Sequence, residues 1–310
     1  MLVVSYLNGI PPGNTNPEKP EILKKFIAGV NRVGLDTGQV SRQWQPMACD
    51  VAILQGFVHK NSKNTRHLML RKDVLSLQKF NNKRTVVIDS NLFLYRDPGN
   101  TKKYLRYSYD GVFPTTGEYC NNKVDPTRWE KIKSDLNFDL QPWKFKGSYI
   151  LICAQRDGGW SMNGKSVVEW VTDTVSKVRS ITSLPIKVRL HPGDRQATRY
   201  ARKLQRLKVE IIDSQNTSLL ENLQDAHSLI VYNSSPAVAG VIEGVPTFIT
   251  DPDPLNCQAF GVAHTDLQRI NSPIDYDRNK WILQMAQMHW NQDDLFDGSC
   301  WRWMRNWGVK

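Results

Sequence analysis

The chain has 310 residues, and 40% of them are hydrophobic, which is enough for two domains of roughly 150 residues each. Charged residues make up an ordinary 23%, which excludes a disordered chain, and the net charge of +11 favours a polyanionic or phosphorylated partner. The start of the chain has no basic leader, and no apolar run approaches the ~20 residues of a membrane helix. The sequence therefore predicts a cytoplasmic, monomeric protein with no membrane span.

Strand-like and helix-like patterns alternate along the first half. Apolar, strand-like runs are followed by amphipathic stretches or by loops rich in Pro, Gly and Asn. The predicted strands are 2–7, 50–58, 84–93 and 104–113, and the predicted helices are 21–34 and 66–80. A short helix and a linker are predicted over 126–145.

The alternation restarts at residue 147 and continues to about residue 250. Strand–helix alternation at this spacing predicts parallel sheets covered on both faces. The expected fold class is α/β, with two doubly wound, Rossmann-like domains facing a cleft. The predicted boundaries are 1–145, 146–280 and a helical segment, 281–310, that packs back towards the N-terminal domain.

The C-terminal segment carries five of the ten tryptophans, between residues 281 and 307. We expect most of them to be packing residues of that segment. Stacking on nucleic-acid bases is the alternative.

In open α/β sheets, ligands bind at the carboxyl ends of the strands. That rule selects the loops 155–164, 191–195, 233–236 and 250–254 as one surface. The chain contains neither GxGxxG nor GxxxxGK[ST], which disfavours a simple dehydrogenase or a P-loop NTPase. Five widely spaced cysteines without a CxxC pair predict reduced thiols and no zinc site.

Asn233, Ser234 and Ser235 stand where an apolar strand ends and a helix of small residues begins. Hydroxyls at a helix start either cap the helix or join its free N–H groups in binding a phosphate. Gly240 in the same helix allows it to approach the sheet closely.

The neighbouring loops add further groups that suit a nucleotide. Arginines, a histidine and two glycines can contact phosphates, and a carboxylate two turns into the helix can accept hydrogen bonds from ribose hydroxyls. The candidate donor-site residues are Arg156, Gly158, Gly159, Arg189, His191, Asn233, Ser234, Ser235 and Glu243.

Two motifs, His191-Pro192 and Ser234-Ser235, carry a family resemblance. Residues 147–254 resemble glycosyltransferases of the GT-B fold, in particular capsule-polysaccharide and polysialic-acid transferases. The resemblance implies a nucleotide-sugar donor bound by domain 146–280, an acceptor bound by domain 1–145, and no metal. A UDP-sugar is favoured because it is the commonest donor in the fold, and a CMP-sugar is the alternative.

These transferases take their general base from an acidic E-D-G-F-type segment. Residues 87–93 occupy the comparable place here, without the second acid and the glycine, which makes Asp89 the candidate base. Asp110 is a rival carboxylate. An inverting transferase needs such a group to take the proton of the attacking hydroxyl. Each aspartate is alternatively a turn residue.

Clusters of positive charge bear on the acceptor. Residues 60–84 and 187–208 each hold eight Lys or Arg against one Asp, a composition that suits duplex DNA. We expect phosphate contacts from His59, Lys60, Lys63, Arg66, Lys102 and Lys103. The chain is then similar in function to bacteriophage transferases that glycosylate hydroxymethylcytosine in duplex DNA, by extruding the base. An anionic capsule-type glycan is the alternative acceptor, and a non-catalytic nucleic-acid-binding protein on the same scaffold is the third hypothesis.

Overall fold

The structure is a computed structural model, which describes residues 1–13, 18–58, 62, 64–157, 160–162, 164–194 and 196–309. The strands are β1 (Leu2–Tyr6), β2 (Thr37–Ser41), β3 (Val51–Gln55), β4 (Arg84–Asp89), β5 (Leu105–Tyr109), β6 (Tyr149–Cys153), β7 (Ile186–Arg189), β8 (Glu210–Ile212), β9 (Ala226–Val231), β10 (Thr247–Ile249) and β11 (His289–Trp290). The helices are α1 (Glu18–Val33), α2 (Arg66–Phe80), α3 (Pro126–Leu136), α4 (Val167–Arg179), α5 (Ala197–Leu204), α6 (Leu219–Gln224), α7 (Pro236–Ile242), α8 (Asn279–Gln287), α9 (Gln292–Phe296) and α10 (Ser299–Gly308).

The chain divides into two compact units, and neither is continuous in sequence. The first unit comprises Met1–Asn91, Gly99–Asp135 and Lys280–Lys310. The second comprises Leu92–Pro98 and Leu136–Asn279. The inserted segment, Leu92–Pro98, thus leaves the first unit, joins the second and returns.

The first unit contains a six-stranded sheet in the order β11-β5-β4-β3-β1-β2. Strands β1 to β4 are parallel, and the chain passes from β1 to β2 on one side before returning to β3 on the other. The expectation of parallel strands is wrong for β5 and β11, which are antiparallel to their neighbours. No helix lies between β4 and β5, and a parallel pair normally needs a helical crossover.

The first sheet is covered on both faces because its strands are apolar on both sides. Val51 and Ile53 pack with Phe26 of α1 and Trp301 of α10, whereas the alternate residues of β3 pack towards α2. Five residues from the final 31 of the chain complete the core on the α1 side. The prediction that the C-terminal tryptophans are mostly packing residues is confirmed for the buried ones, Trp281, Trp290 and Trp301.

The second unit contains a five-stranded, fully parallel sheet in the order β10-β9-β6-β7-β8. From the central β6 the chain proceeds to β7 and β8 on one side and then to β9 and β10 on the other. The topological switch point therefore lies between β6 and β9. Helix α7 packs tightly on this sheet: a Cβ at Gly240 would lie 2.4 Å from Thr247 Oγ1, so only glycine fits there.

Both units are therefore doubly wound α/β domains, which confirms the predicted fold class. In the part of the chain that the structure describes, no helix has the length and apolar character to cross a membrane.

Candidate functional site

Four polar residues form a hydrogen-bonded cluster at the switch point of the second unit. Gln155 follows β6, and its Nε2 donates to Asn233 Oδ1 (2.9 Å) and to Ser161 Oγ (2.8 Å). Asn233 follows β9, and its Nδ2 donates to Asp251 Oδ2 (2.6 Å) and to the carbonyl of Ser161 (3.0 Å). These four residues, the switch-point cluster, link the loops after β6, β9 and β10. Because Gln155, Asn233 and Asp251 are all buried, the cluster fixes the edge of the sheet where ligands bind.

Two buried oxygen atoms beside this cluster have no partner in the described residues. They are Gln155 Oε1 and Ser234 Oγ. Burying a polar atom without a hydrogen bond is costly, and most such atoms in native proteins have partners. Both atoms lie at the switch point, where a bound ligand or a water molecule would supply the missing hydrogen bonds.

The start of α7 distinguishes between the two interpretations of its serines. Ser235 is the N-cap residue by position, yet its side chain makes no capping hydrogen bond. At the start of α6, by contrast, Ser218 accepts from the Glu221 N–H and completes a capping box. The capping interpretation is therefore wrong for the side chains of Ser234 and Ser235.

The loops after β6 and β7 are joined by hydrogen bonds and by close packing. The Asp157 N–H donates to Asp194 Oδ2 (2.7 Å), which ties one loop to the other. A Cβ at Gly193 would lie 2.9 Å from a terminal nitrogen of Arg156, so this guanidinium lies directly against the His191 loop. The structure thus brings Arg156 and His191 together.

One ring nitrogen of His191 has a hydrogen-bond partner among the described residues, and the other has none. Its Nδ1 is 3.0 Å from the Gly193 N–H and accepts from it, which leaves the proton of the neutral ring on Nε2. Burial, and then the charge of Arg156, lower the pKa of His191. In the described residues Nε2 has no partner, so the neutral imidazole can donate to a phosphate or sugar oxygen.

Arg189 was expected to contact the donor, but it supports the sheet instead. Its guanidinium donates to Asn222 Oδ1 (2.5 Å), to Thr217 Oγ1 (3.2 Å) and to the carbonyl of Ser214 (3.5 Å). These contacts hold the loop that follows β8, so Arg189 acts on that loop rather than on a ligand.

Glu243 was expected to bind ribose, but protein donors occupy its carboxylate. Tyr95 Oη donates to Oε1 at 2.8 Å, and Arg96 Nη2 donates to both oxygens at 2.6 and 2.7 Å. Only 4% of Glu243 is exposed. Its partners belong to the inserted segment, and no periodic pattern in the sequence predicted that this segment joins the second unit.

Asp89 and Asp110 lie at opposite edges of the first sheet. Asp89 ends β4 at the carboxyl edge of the parallel strands and forms an ion pair with Arg106. Asp110 follows the antiparallel β5, so it lies beside the start of β4. Its carboxylate accepts from the Thr85 N–H (2.8 Å) and from Arg84 Nε (2.5 Å). Asp110 is therefore a turn residue with a positive φ of 64°, away from the ligand-binding edge.

The described members of the expected DNA-binding set are partly engaged within the protein. Arg66 lies over the Trp44 ring at 4.1 Å, Lys103 forms an ion pair with Glu18, and Lys102 is exposed. His59, Lys60, Lys63, Gly158 and Gly159, which were also expected to bind ligands, lie outside the described residues.

Other charges of the 60–84 cluster are also neutralised internally. Lys83 pairs with Asp50 at 2.7 Å, and Arg84 pairs with both Asp110 and Glu118. The cluster therefore offers fewer free cations than its composition indicates.

Sequence reasoning did not select Gln155, Ser161 or Asp251 as site residues. The signal available was the polar residue that ends the apolar run of β6, since such a residue at a switch point faces the ligand edge. Among the described residues, no group of three or more His, Cys, Asp or Glu side chains could hold a metal ion.

No family model and no curated protein matches the chain in sequence. Two solved structures share its fold over almost the whole length. One is the beta Kdo 2,4 transferase of Thermosulfurimonas dismutans KpsC, with 10% identity, a TM-score of 0.57, and coverage of 96% of this chain and 98% of that one. The other is the beta Kdo 2,7 transferase of the same KpsC, with 12% identity, a TM-score of 0.51, and coverage of 97% and 100%. At this identity the likeness establishes the two-domain GT-B-type fold.

Proposed function

We propose that this protein is a glycosyltransferase that transfers a sugar from a nucleotide-sugar donor to a hydroxyl of an anionic glycan. The observation that carries the proposal is the switch-point cluster, with two unpartnered buried oxygens at the ligand-binding edge of the second unit. The fold shared with two Kdo transferases supports it.

The donor lies along the carboxyl edge of the second sheet. Strands β7 and β9 flank β6, so their ends are about 10 Å apart at the usual spacing of ~4.8 Å between neighbours. This span suits a ligand longer than a single phosphate. Ser234 contacts one end of the donor's phosphate group, while His191 and Arg156 contact the other.

Departure of the nucleotide places negative charge on the leaving phosphate oxygens. Arg156 and the Nε2–H of His191 stabilise that charge, because donors fixed in advance need no rearrangement as it develops. The donor is a UDP-sugar, with a CMP-sugar as the alternative, and the protein residues do this work without a metal.

Asp89 is the general base that takes the proton of the acceptor hydroxyl. It ends β4 at the ligand-binding edge of the first sheet, and its ion pair with Arg106 holds the carboxylate in place. Asp110 has no part in this proposal, because its carboxylate holds the opposite edge.

A glycan acceptor is favoured over DNA on two grounds. Both of the structures described above are Kdo transferases, and Kdo is an acidic sugar. Internal pairing also removes several cations from the cluster that suggested a duplex. Hydroxymethylcytosine DNA stays the second candidate because of the net charge of +11.

The test combines purified protein with a panel of UDP- and CMP-sugars and three acceptor classes, followed by mass spectrometry of the products. The acceptors are acidic oligosaccharides, matched neutral oligosaccharides and duplex DNA containing hydroxymethylcytosine. We expect one added sugar on the acidic oligosaccharides alone, and its loss in Asp89→Asn with nucleotide binding retained. A sugar added to the DNA would replace the glycan proposal. No turnover and no nucleotide binding would leave a non-catalytic binding protein.

A further inference from the structure

Arg71, one of the cations of the 60–84 cluster, lies at the switch point of the first unit. It projects from α2, and its Nε donates to the carbonyl of Gly9, just after β1, at 2.6 Å. A Cβ at Gly56, just after β3, would lie 2.8 Å from Arg71 Nη1. Since β1 and β3 are neighbours at which the strand order reverses, the guanidinium lies where open α/β sheets bind ligands.

The Arg71 side chain is largely buried, and the described residues supply no counter-ion for it. Arg71 is only 8% exposed, and none of the described Asp or Glu side chains pairs with it. The residues outside the described ranges include no Asp or Glu. Its Nε makes its one hydrogen bond in the described structure, which leaves both terminal nitrogens without partners there. Burial lowers the pKa of Arg71 to about 10.

An uncompensated buried charge is costly, and arginine is rarely buried without a partner. Two other buried arginines have counter-ions, Arg106 with Asp89 and Arg128 with Asp294. The buried Arg189 has neutral acceptors instead. Arg71 is also held in position by its bond to the Gly9 carbonyl and by its close approach to Gly56, where a Cβ would not fit. Its two terminal nitrogens are not among the fully buried polar atoms, so they are accessible to an anion that arrives with a ligand.

Gly56 also relates Arg71 to the candidate base. The Gly56 N–H donates to the carbonyl of Ile88 at 2.7 Å, and Ile88 directly precedes Asp89. The Arg71 guanidinium lies beside the end of β3, and Asp89 ends the adjacent strand β4, so both are at the same edge of the same sheet. A buried guanidinium with a planar pair of free donors suits one carboxylate or phosphate group, whereas a duplex backbone is contacted by several exposed cations.

We propose that Arg71 is the specificity-determining residue that binds the carboxylate or phosphate of an acidic acceptor sugar beside Asp89. This rests on the proposed function, and it assigns the recognition of the acceptor's charge to one side chain.

The test is isothermal titration of the full-length protein with three saccharides. They are the methyl glycoside of Kdo, its uncharged methyl ester and glucose 6-phosphate. We expect at least one anionic saccharide to bind at least tenfold more tightly than the ester. Whichever of the two binds identifies the anion as carboxylate or phosphate. Arg71→Gln should weaken that binding at least tenfold, and Arg71→Lys less.

Lys79→Gln is the matched control, since Lys79 is exposed on the same helix and its loss changes the net charge equally. It should bind as the unchanged protein does. Equal binding of acid and ester would overturn the proposal even if Arg71→Gln failed to fold. So would equal binding by Arg71→Gln and Lys79→Gln, or the absence of binding by both anionic saccharides. A duplex oligonucleotide that displaces the acid through Arg71 would overturn it in favour of nucleic acid.

Titration of the same proteins with UDP and CMP separates the two proposals. If Arg71→Gln loses saccharide binding and retains nucleotide binding, the effect belongs to the Arg71 site alone. Absence of nucleotide binding in the unchanged protein contradicts the proposed function instead, whatever the saccharides do.

Discussion

Burial favours the neutral form of His191, and two neighbours from different loops add to this effect. The Gly193 N–H requires a lone pair on Nδ1, and Arg156 repels a proton from the ring. Both effects favour the neutral form, which keeps Nε2–H as a donor near neutral pH. This arrangement places the donor before any ligand arrives.

Replacing Arg156 with Gln should raise the pKa of His191 towards its ordinary value, because removal of a nearby cation favours the imidazolium. Burial is the larger cause of the lowered pKa, so the return should be partial. Histidine chemical shifts followed by NMR against pH measure it. Arg202→Gln, on α5, is the control for the loss of one charge, and an identical His191 pKa in the two variants would contradict this account.

His289 is the titratable group whose burial should appear in the stability of the first unit. It is fully buried, and burial lowers its pKa from 6.5 to about 3. Between these values the unfolded chain binds a proton that the folded chain does not. Stability from this group is thus complete above pH 6.5 and is lost as the pH falls towards 3, by roughly 1 kcal/mol per pH unit.

Urea unfolding at pH 7, 5 and 4 tests this expectation. In His289→Gln the fall in unfolding free energy between pH 6.5 and 4 should be shallower, whatever the variant's stability at pH 7. An unchanged slope would show that other groups cause the acid sensitivity.

At the level of single residues, the sequence located the strand ends better than it assigned roles to the side chains beside them. The apolar runs of the sequence predicted where β7 and β9 end. The structure accordingly has His191 after β7, and Asn233 and Ser234 after β9. Glu243 and Arg189 stand in the same segments but have protein partners far away in sequence. Such partners depend on tertiary contacts, which no local pattern encodes.

Among the helices, α6 and α7 both begin with serines, but the hydrogen bonds of these serines differ. Ser218 completes a capping box, whereas the side chains at the start of α7 make no capping bond. A cap holds a helix start whether or not a ligand is present, while an unpartnered hydroxyl contributes only when a ligand meets it.

Ser218→Ala should therefore destabilise the protein by about 1 kcal/mol, the usual loss for an N-cap serine, and leave nucleotide binding unchanged. Ser234→Ala should leave the unfolding free energy almost unchanged, because its hydroxyl has no partner to lose. It should weaken nucleotide binding. Urea unfolding and titration with UDP and CMP measure both quantities, and equal losses of stability in the two variants would contradict the distinction.

Element types followed from the sequence throughout the second sheet, where a helix separates each pair of consecutive strands. In the first unit, β2 (Thr37–Ser41) was not predicted. The direction of β5 was not predicted correctly, although its alternating pattern identified it as a strand. Direction depends on the connection, and the stretch between β4 and β5 contains the inserted segment instead of a helix. An antiparallel neighbour then reverses the edge at which Asp110 emerges.

For the whole molecule, the final 31 residues are part of the first unit although 144 residues of the second precede them directly. Trp301, Cys300 and Met304 are each no more than 1% exposed and lie in the core against α1. Trp301 Nε1 also donates to the buried Asp36 at 3.0 Å.

A chain ending at Asn279 should therefore lose the first unit's cooperative unfolding, because these three side chains leave a large hole and Asp36 loses a partner. Near-ultraviolet circular dichroism and hydrogen exchange would detect the loss. Removal of Lys310 alone is the control. Native protection of β1 and β3 in the chain ending at Asn279 would contradict the prediction.

The inserted segment also limits how such a protein can change its specificity over evolutionary time. A single genetic crossover at residue 136 would replace residues 136–279 but leave the original Arg96 in place. The residue of the incoming unit that corresponds to Glu243 would then have to pair with an arginine from a different protein. Exchange of the whole second unit thus requires at least two separate tracts of the gene to be inherited together. Specificity in this lineage should consequently diverge by substitutions accumulated in place, with positions 96 and 243 covarying across a boundary of some 150 codons.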